Sequence, residues 1–367
     1  MRYVFTGGGT LGHTNPAVAV AERVRQIDQD ARILFIVREG GAENEVIRKY
    51  GFEIKEIPTE GLCRGGGIRK SAATFAVTMK AIRKCLGIIR ETDADIIFGT
   101  GGYVSFAPLI AGILLGTPTY VHESNSTPGL VTKIVSTLGS KVLLNYEGAK
   151  DHFSKKKDCK VVGNPLLSDF GKFTKAEARK KLGIFGDEFF IVSFGGSGGS
   201  KVMNDTIVNL MDKRSAAITK IRHLHATGEK YFSDYRKRYP RLTARNSRQR
   251  IVARIEDMAL YMTAADLLIC RCGATTLSEI SSVGRAAILI PSPNVTDEHQ
   301  LKNGQYLATK EAAVLIEESR LTNEILDEKI RLLKDNDHLR KRLENNIAKE
   351  KKRDSAKAIA EMLINGK

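Results

Sequence analysis

At 367 residues the chain is long enough for two domains that each bury a core, and its 58 Lys and Arg against 42 Asp and Glu leave a formal charge of +16, which favours anionic partners. Five cysteines, Cys63, Cys85, Cys159, Cys270 and Cys272, form no C-x-x-C pair and have no histidine at zinc spacing, so a reduced compartment such as the cytoplasm is expected rather than disulfides or a metal. No run reaches the roughly 20 apolar residues of a membrane span, and the first residues lead straight into a strand and a glycine turn at Gly7 instead of a signal peptide, so any membrane would be met at its surface.

The chain opens with RYVFTGGGTLGHTNPAVAVAERV: an apolar strand, a glycine turn, then a helix expected after Gly12 with Asn15 as cap and Pro16 in the first turn. Strand, glycines and helix together are the pattern of a phosphate cradle. The bursts RYVF, ARILFIV, FEIKEI, DIIFG, PTYV and KVLL recur with helical segments between them, which predicts βαβ units and a parallel sheet. A dinucleotide G-x-G-x-x-G is matched only loosely, and Glu39 alone supplies an acidic residue near the second strand, which disfavours a Rossmann dehydrogenase.

The segment IRKSAATFAVTMKAIRKCLGIIRE places Phe75, Met79 and Ile82 beside Arg69, Lys70, Lys80, Arg83 and Lys84, which reads either as an interfacial basic helix or as a helix packing its stripe on the sheet. FGTGGYVSFAP is another glycine turn, from which Tyr103 and Ser105 could reach a ligand. The strand ending in VHESNSTPG presents His122, Glu123, Ser124 and Asn125, four polar groups that are costly to bury without partners; His122 reads equally as a structural residue. Asp93 and Asp95 precede a strand and read as a solvated turn.

Gly163, Asn164 and Pro165 mark an expected domain boundary. Beyond it FFIVSFGGSGGSKVMNDTIVNL repeats the strand, glycine and helix pattern, and KIRHLHA, RIVAR, DLLICR, AAILIP and AAVLI continue the alternation. DLLICRCGATTLSEI predicts a helix after Gly273 whose first turn carries Thr275, Thr276 and Ser278. Glu279 follows one turn in, where a carboxylate can take two ribose hydroxyls or simply favour the helix. This turn, GGSGGS and TDEHQLKN would share one sheet edge, which fits a nucleoside diphosphate. No carboxylate cluster suits magnesium, so helix dipoles and backbone N–H groups would stabilise the diphosphate, with no metal and no cofactor expected. His13, at the start of the first helix, reads as a general base or ligand contact, or as a histidine capping its own loop. The charged segment after Leu321 and the final AKAIAEMLI read as helices, the last needing a surface to pack on.

The motifs GGGTLGHTNPA, TGGYVS, HESNSTPG, VVGNP, FGGSGGSKVMN, IEDM and CRCGATTLSE with DEHQLKN stand in the order of the MurG family, which the chain resembles over essentially its whole length. That family consists of transferases adding N-acetylglucosamine to undecaprenyl-pyrophosphoryl-N-acetylmuramyl-pentapeptide. The resemblance implies an α/β protein of the GT-B kind, two Rossmann-like domains facing across a cleft. Residues 1–163 would form an acceptor and membrane-facing domain, 164–340 a UDP-sugar domain, and 341–367 a C-terminal helix packing back on the first. It further implies that Thr10, Leu11, Gly12, Asn125 and Ser197 touch the sugar nucleotide and that the backbone of Ile255 faces uracil. Ala274, Thr275, Thr276, Leu277, Ser278 and Glu279 would hold ribose and phosphate, and Gln300 the sugar. His13 would be the base, with Tyr103, Glu123 and Asn204 on the acceptor side.

Leu167 stands where the family often has arginine; Leu11, Gly198 and His299 are further departures. The expected activity is inverting, metal-independent transfer from UDP-N-acetylglucosamine to the lipid-linked muramyl-pentapeptide, by a peripheral protein at the cytoplasmic face of an anionic membrane surface. The alternatives are a diacylglycerol glycosyltransferase, a UDP-N-acetylglucosamine 2-epimerase and a nucleic-acid-binding protein. The last is disfavoured because no basic, aromatic-studded motif is recognisable, so no nucleic acid is expected as partner.

Overall fold

The apolar bursts of the first half form seven strands: β1 (Arg2–Thr6), β2 (Arg32–Arg38), β3 (Glu53–Ile57), β4 (Ile96–Gly99), β5 (Thr119–Glu123), β6 (Lys141–Leu144) and β7 (Cys159–Val161). They pair in parallel in the order β3-β2-β1-β4-β5-β6-β7, as in the computed structural model, which describes residues 1–41, 43–60, 68–154, 158–215, 220–245, 247–295, 298–352 and 354–366, with side chains from residue 73 onward in the helix that starts at 68. Alternate residues of a strand enter different cores. Tyr3 and Phe5 pack with α1 (Leu11–Ile27) and α2 (Asn44–Lys49), whereas Val4 packs with α3 (Ile68–Thr92), α4 (Gly102–Leu115) and α5 (Leu130–Thr137). Burial on both faces is why the central strands read as unbroken apolar runs.

The second half repeats the plan. Strands β8 (Phe189–Phe194), β9 (Ile221–Ala226), β10 (Gln249–Val252), β11 (Leu267–Cys270), β12 (Ala286–Leu289) and β13 (Val314–Leu315) form a parallel sheet ordered β10-β9-β8-β11-β12-β13. Around it lie α6 (Lys175–Lys181), α7 (Lys201–Ser215), α8 (Glu229–Arg238), α9 (Met258–Ala264), α10 (Ala274–Val283), α11 (His299–Thr309), α12 (Asn323–Asp335) and α13 (Asp337–Lys349). The last helix, α14 (Ser355–Asn365), packs along α1, its Ile359, Ala360 and Leu363 entering the core of Tyr3 and Phe5.

The compact units are accordingly Met1–Leu167 with Lys352–Lys367, and Ser168–Lys351. The expected boundary at 341 falls too early, because Leu343 and Ile347 of α13 are buried in the cores of the second unit. Helix α1 also begins earlier than expected. Thr10 is its N-cap, and the Thr10 carbonyl accepts the N–H groups of His13 (3.1 Å) and Thr14 (3.2 Å), so Asn15 and Pro16 lie inside the helix. Asp95 accepts the Arg2 N–H at 2.9 Å and Asp93 pairs with the Arg2 guanidinium at 2.7 Å, so these carboxylates tie strand to turn.

Ile359 is fully buried, so Ile359→Ala removes a core side chain of the first unit at a cost of about 2–5 kcal/mol. Chemical denaturation should report that loss; an unchanged midpoint would mean that α14 is not part of that core.

Candidate active site

In each sheet the strand order reverses beside the central strand, between β1 and β4 and between β8 and β11, so the two loops there part at the carboxyl edge and leave a crevice. In the first unit these are the Gly7–Gly9 turn and the Thr100–Gly102 turn. They are stitched together by Thr100, whose Oγ1 donates to the His13 carbonyl at 2.7 Å. Gly7 sits so close beneath that hydroxyl that a Cβ would overlap it. His13, half-buried, lies 2.8 Å through Nδ1 from the Thr100 carbonyl. A carbonyl only accepts, so Nδ1 carries the proton and Nε2 keeps a lone pair. This is the tautomer a general base requires, and packing of the ring against Gly102 fixes its direction.

Other first-unit candidates divide by their partners. Tyr103 flanks the turn, its ring against Gly9. Thr10, Leu11 and Gly12 form the start of α1 beside His13. Glu123, expected to meet the acceptor, is instead buried and committed to its own loop. Its Oε1 accepts from Asn125 N (3.0 Å) and Asn125 Nδ2 (3.1 Å), and its Oε2 from Gly129 N (2.9 Å) and Thr132 Oγ1 (2.7 Å). It therefore shapes the loop that carries Asn125. Ser105 is likewise turned inward, donating to the Gly101 carbonyl at 2.7 Å. His122 is structural: buried, 2.9 Å from the Gly163 carbonyl, and pushed down to about 4 by desolvation.

The first glycine turn also departs from a phosphate cradle. Buried Glu43 accepts the Gly9 N–H at 2.5 Å, and a carboxylate at that point opposes an anion. Neither Glu43 nor the Thr100 carbonyl was singled out from the sequence, since both act only through the folded juxtaposition of distant loops.

In the second unit the β8–α7 glycine loop and the start of α10 adjoin at the corresponding place. Arg271 joins them: its guanidinium donates to Ser200 Oγ at 2.6 Å, to the Ile290 and Pro291 carbonyls at 3.2 and 3.0 Å, and pairs with Glu318. This residue too was missed, although an arginine directly after a buried strand is an unusual charge to place there. Ser197 is exposed at the tip of the glycine loop. The Ile255 side chain is anchored in the core, which leaves its peptide groups for recognition. Gln300 accepts the Ser292 N–H at 3.0 Å through Oε1, so its amide NH2 remains to donate. Thr296 and Asp297 of the TDEHQLKN motif lie outside the described residues, as do Cys63 and the side chains of Arg69 and Lys70.

Within the first turns of α10, Thr275, Thr276 and Ser278 are half-buried around the entrance, but Ala274 and Leu277 are buried. Leu277 therefore offers no side-chain contact, and its N–H closes on Gly273 at 3.0 Å. Glu279 is half-buried, has no hydrogen-bond partner among the described residues, and is pushed up to about 8 by desolvation. Asn204, expected on the acceptor side, is fully buried in α7 of this unit and bonded to Thr227 and His225. It cannot touch an acceptor directly.

The helices starting beside these crevices share a property. Among them α1, α4, α5, α10 and α11 have neither a side-chain N-cap nor an acidic first turn, whereas α6, α9, α12, α13 and α14 are capped by Thr174, Asp257, Thr322, Asn336 and Asp354. At α1 and α5 a carboxylate already stands there, Glu43 on the Gly9 N–H and Glu123 on the Gly129 N–H, whereas the start of α10 is left as a positive dipole end for an anion. Among the described residues no group of three or more His, Cys, Asp or Glu is placed to hold a metal ion.

This architecture and its motifs match known proteins across the chain. Residues 3–144 match the glycosyltransferase family 28 N-terminal domain and residues 190–359 the family 28 C-terminal domain. The UDP-N-acetylglucosamine--N-acetylmuramyl-(pentapeptide) pyrophosphoryl-undecaprenol N-acetylglucosamine transferase of Thermoanaerobacter sp. (strain X514) is 35% identical over 364 residues, 99% of each chain. The chain belongs to the MurG family.

The crystal structure of Acinetobacter baumannii MurG superposes with a TM-score of 0.74 at 26% identity, covering 99% of both chains. A UDP-N-acetylglucosamine 2-epimerase from Listeria monocytogenes reaches 0.73 over 100% of this chain and 96% of its own, but at 12% identity it attests the fold alone. The protein is thus a glycosyltransferase of GT-B architecture. Its departures from the MurG pattern have local explanations. Leu167 packs against the first unit's core where the family often carries arginine, and Gly198 lies at an exposed tip with open space around it.

Glu279 gives a stability test. Its folded pKa near 8 lies above the ordinary carboxylate range, so the folded protein retains a proton that the unfolded chain has released. The contribution of Glu279 to stability is then fully present below about pH 4.5 and is lost as pH rises through 8. Glu279→Gln should therefore melt above the parent at pH 8, with the difference closing toward pH 4.5; a pH-independent difference would contradict the raised pKa.

Proposed function

We propose that the protein transfers N-acetylglucosamine from UDP-N-acetylglucosamine to the C4 hydroxyl of the muramyl sugar of undecaprenyl-pyrophosphoryl-N-acetylmuramyl-pentapeptide. The observation that carries this reading is the full-length relationship to the Thermoanaerobacter transferase at 35% identity. The chemistry of the two crevices supports it.

His13 Nε2 takes the proton of the acceptor hydroxyl as that oxygen attacks the anomeric carbon. The bond from that carbon to the diphosphate oxygen breaks on the opposite face, its electron pair leaving with UDP, so the configuration inverts. The uncapped start of α10 and the glycine loop before α7 face the growing negative charge with N–H groups, in place of a metal. Glu279 accepts the two ribose hydroxyls, and Ile255 offers its peptide to uracil. Gln300 and Asn125 contact the donor sugar, with Thr10, Leu11, Gly12 and Ser197 completing the donor contacts and Tyr103 on the acceptor side.

The assay is UDP release with no added metal, with and without a short-chain lipid-linked muramyl-pentapeptide. Acceptor-dependent release with a disaccharide product is expected; release only with diacylglycerol would replace the acceptor assignment. His13→Ala should lower kcat by about 10²–10⁴-fold while UDP affinity is kept, and undiminished turnover would remove His13 as base.

The acceptor's lipid tail requires a membrane surface, which we assign to α3, α4 and α5. These helices pack side by side and expose Phe75 (67%), Leu114 (66%), Leu130 (54%) and Leu138 (51%), near exposed Lys80, Arg83, Lys84 and Lys133. Ile82, expected on the lipid side, is buried against the sheet, so only part of the predicted stripe is available. The pattern favours anionic lipid at the cytoplasmic face over nucleic acid. Each apolar side chain inserted contributes about 1.5–3 kcal/mol, so Phe75→Glu with Leu138→Glu should lower partitioning onto anionic vesicles at least about tenfold. The second-unit control Leu332→Glu should not change it, and equal effects of both would contradict the assignment.

A further inference from the structure

A buried polar chain runs beneath the glycine loop of the second unit. Ser193 on β8 sits between two histidines of β9, its Oγ 2.7 Å from His223 Nε2 and 2.8 Å from His225 Nδ1. His225 Nε2 is 3.0 Å from Asn204 Oδ1, and Asn204 Nδ2 donates to the Thr227 carbonyl at 2.9 Å. All of these residues are buried to within 1%.

The proton order of this chain follows from its last member. The Thr227 carbonyl can only accept, so Asn204 must turn its NH2 there and its oxygen to His225. His225 then carries its proton on Nε2 and offers a bare Nδ1 to the Ser193 O–H. Ser193 Oγ in turn accepts the Nε2–H of His223, whose Nδ1 is left without a partner among the described residues. Desolvation keeps both rings neutral, His225 being pushed down to about 3 and His223 well below its usual range. Every hydrogen bond therefore points one way, from His223 toward Thr227.

The Thr227 carbonyl is where this chain meets the loop. Gly199, at φ +71°, lies so close that a Cβ would overlap that oxygen. Gly228, at φ +87°, faces the backbone of Gly198 and Gly199. Val252 and Ala253 fix the same peptide from the other side, through Thr227 N–H at 2.9 Å and Gly228 N–H at 3.0 Å. A shift of Thr227 would be transmitted directly, because backbone touches backbone with no flexible side chain between.

We infer that the Ser193, His225 and Asn204 chain positions the diphosphate loop, holding the Thr227 carbonyl at the height from which the Gly196–Gly199 turn presents its N–H groups to the donor. Asn204 is a positioning residue and touches neither sugar nor phosphate. The inference rests on reading that loop as the diphosphate site.

The test compares UDP with uridine, which lacks the diphosphate, by calorimetry on the full-length protein. The parent should bind UDP much more tightly than uridine. Asn204→Ala should weaken UDP about tenfold and leave uridine within about twofold, since the hydrogen bond lost acts only on the loop. Ser193→Ala, which removes one hydroxyl and keeps the shape of the core, should show the same selective loss at a few-fold and remains informative if Asn204→Ala fails to fold. In Asn204→Asp the carboxylate accepts from His225 but has no proton for Thr227, so UDP affinity relative to the parent should recover as pH is lowered. Parallel loss of UDP and uridine, or unchanged UDP affinity, would overturn the inference. A parent that does not prefer UDP to uridine would instead overturn the diphosphate reading of the loop.

Discussion

Much of this molecule follows from one topological constraint, imposed twice. In each sheet the chain builds outward from a central strand on one side and then crosses to the other, so the loops after the central strand and after its new neighbour diverge at the carboxyl edge. Parallel strands aim their helix N-termini at that same edge. A crevice lined by positive dipole ends arises before any particular side chain is chosen. The two units then furnish it oppositely. The first places a carboxylate, Glu43, on its glycine turn and a histidine with an open lone pair beside it. The second keeps carboxylates off the glycine loop and sets Glu279, which has no hydrogen-bond partner among the described residues, a turn into α10.

Both units fix these arrangements by hydrogen bonds to carbonyl groups. A carbonyl is an unambiguous partner, since it only accepts, and it therefore dictates the tautomer of a neutral imidazole. Thr100 does this for His13 directly, and Thr227 does it for His225 through Asn204. The outcome differs with burial. His13 is half-buried at the mouth of its turn, whereas His225 spends both nitrogens inside the core. Arg271 serves a related end among the second unit's loops, where its two terminal nitrogens reach a hydroxyl, two carbonyls and a carboxylate at once.

The sheets and their parallel sense were legible because strands buried on both faces must be apolar throughout, as in ARILFIV and FFIVSF. The glycine turns were legible because only glycine tolerates the close approaches at Gly7 and Gly199. Polar residues were less so. Glu123 and Asn204 sit in motifs that suggested ligand contacts, yet their hydrogen bonds run to their own loop or core, which depends on side-chain direction and not on spacing. Asn15 and Pro16 are a plausible helix start in isolation, but the Thr10 carbonyl captured two N–H groups first. Glu43 and Arg271 acquire their roles from residues far away in sequence, and no local pattern announces such a meeting.

The first unit is covalently discontinuous. Its second core, around Tyr3, Phe5 and Val18, is closed by Ile359, Ala360 and Leu363, residues separated from the rest of the unit by the whole of Ser168–Lys351. During synthesis the second unit has all of its chain available before the first does. The residues translated earliest must therefore wait, with one face of their sheet incompletely covered, until the helix at 355–365 has emerged from the ribosome.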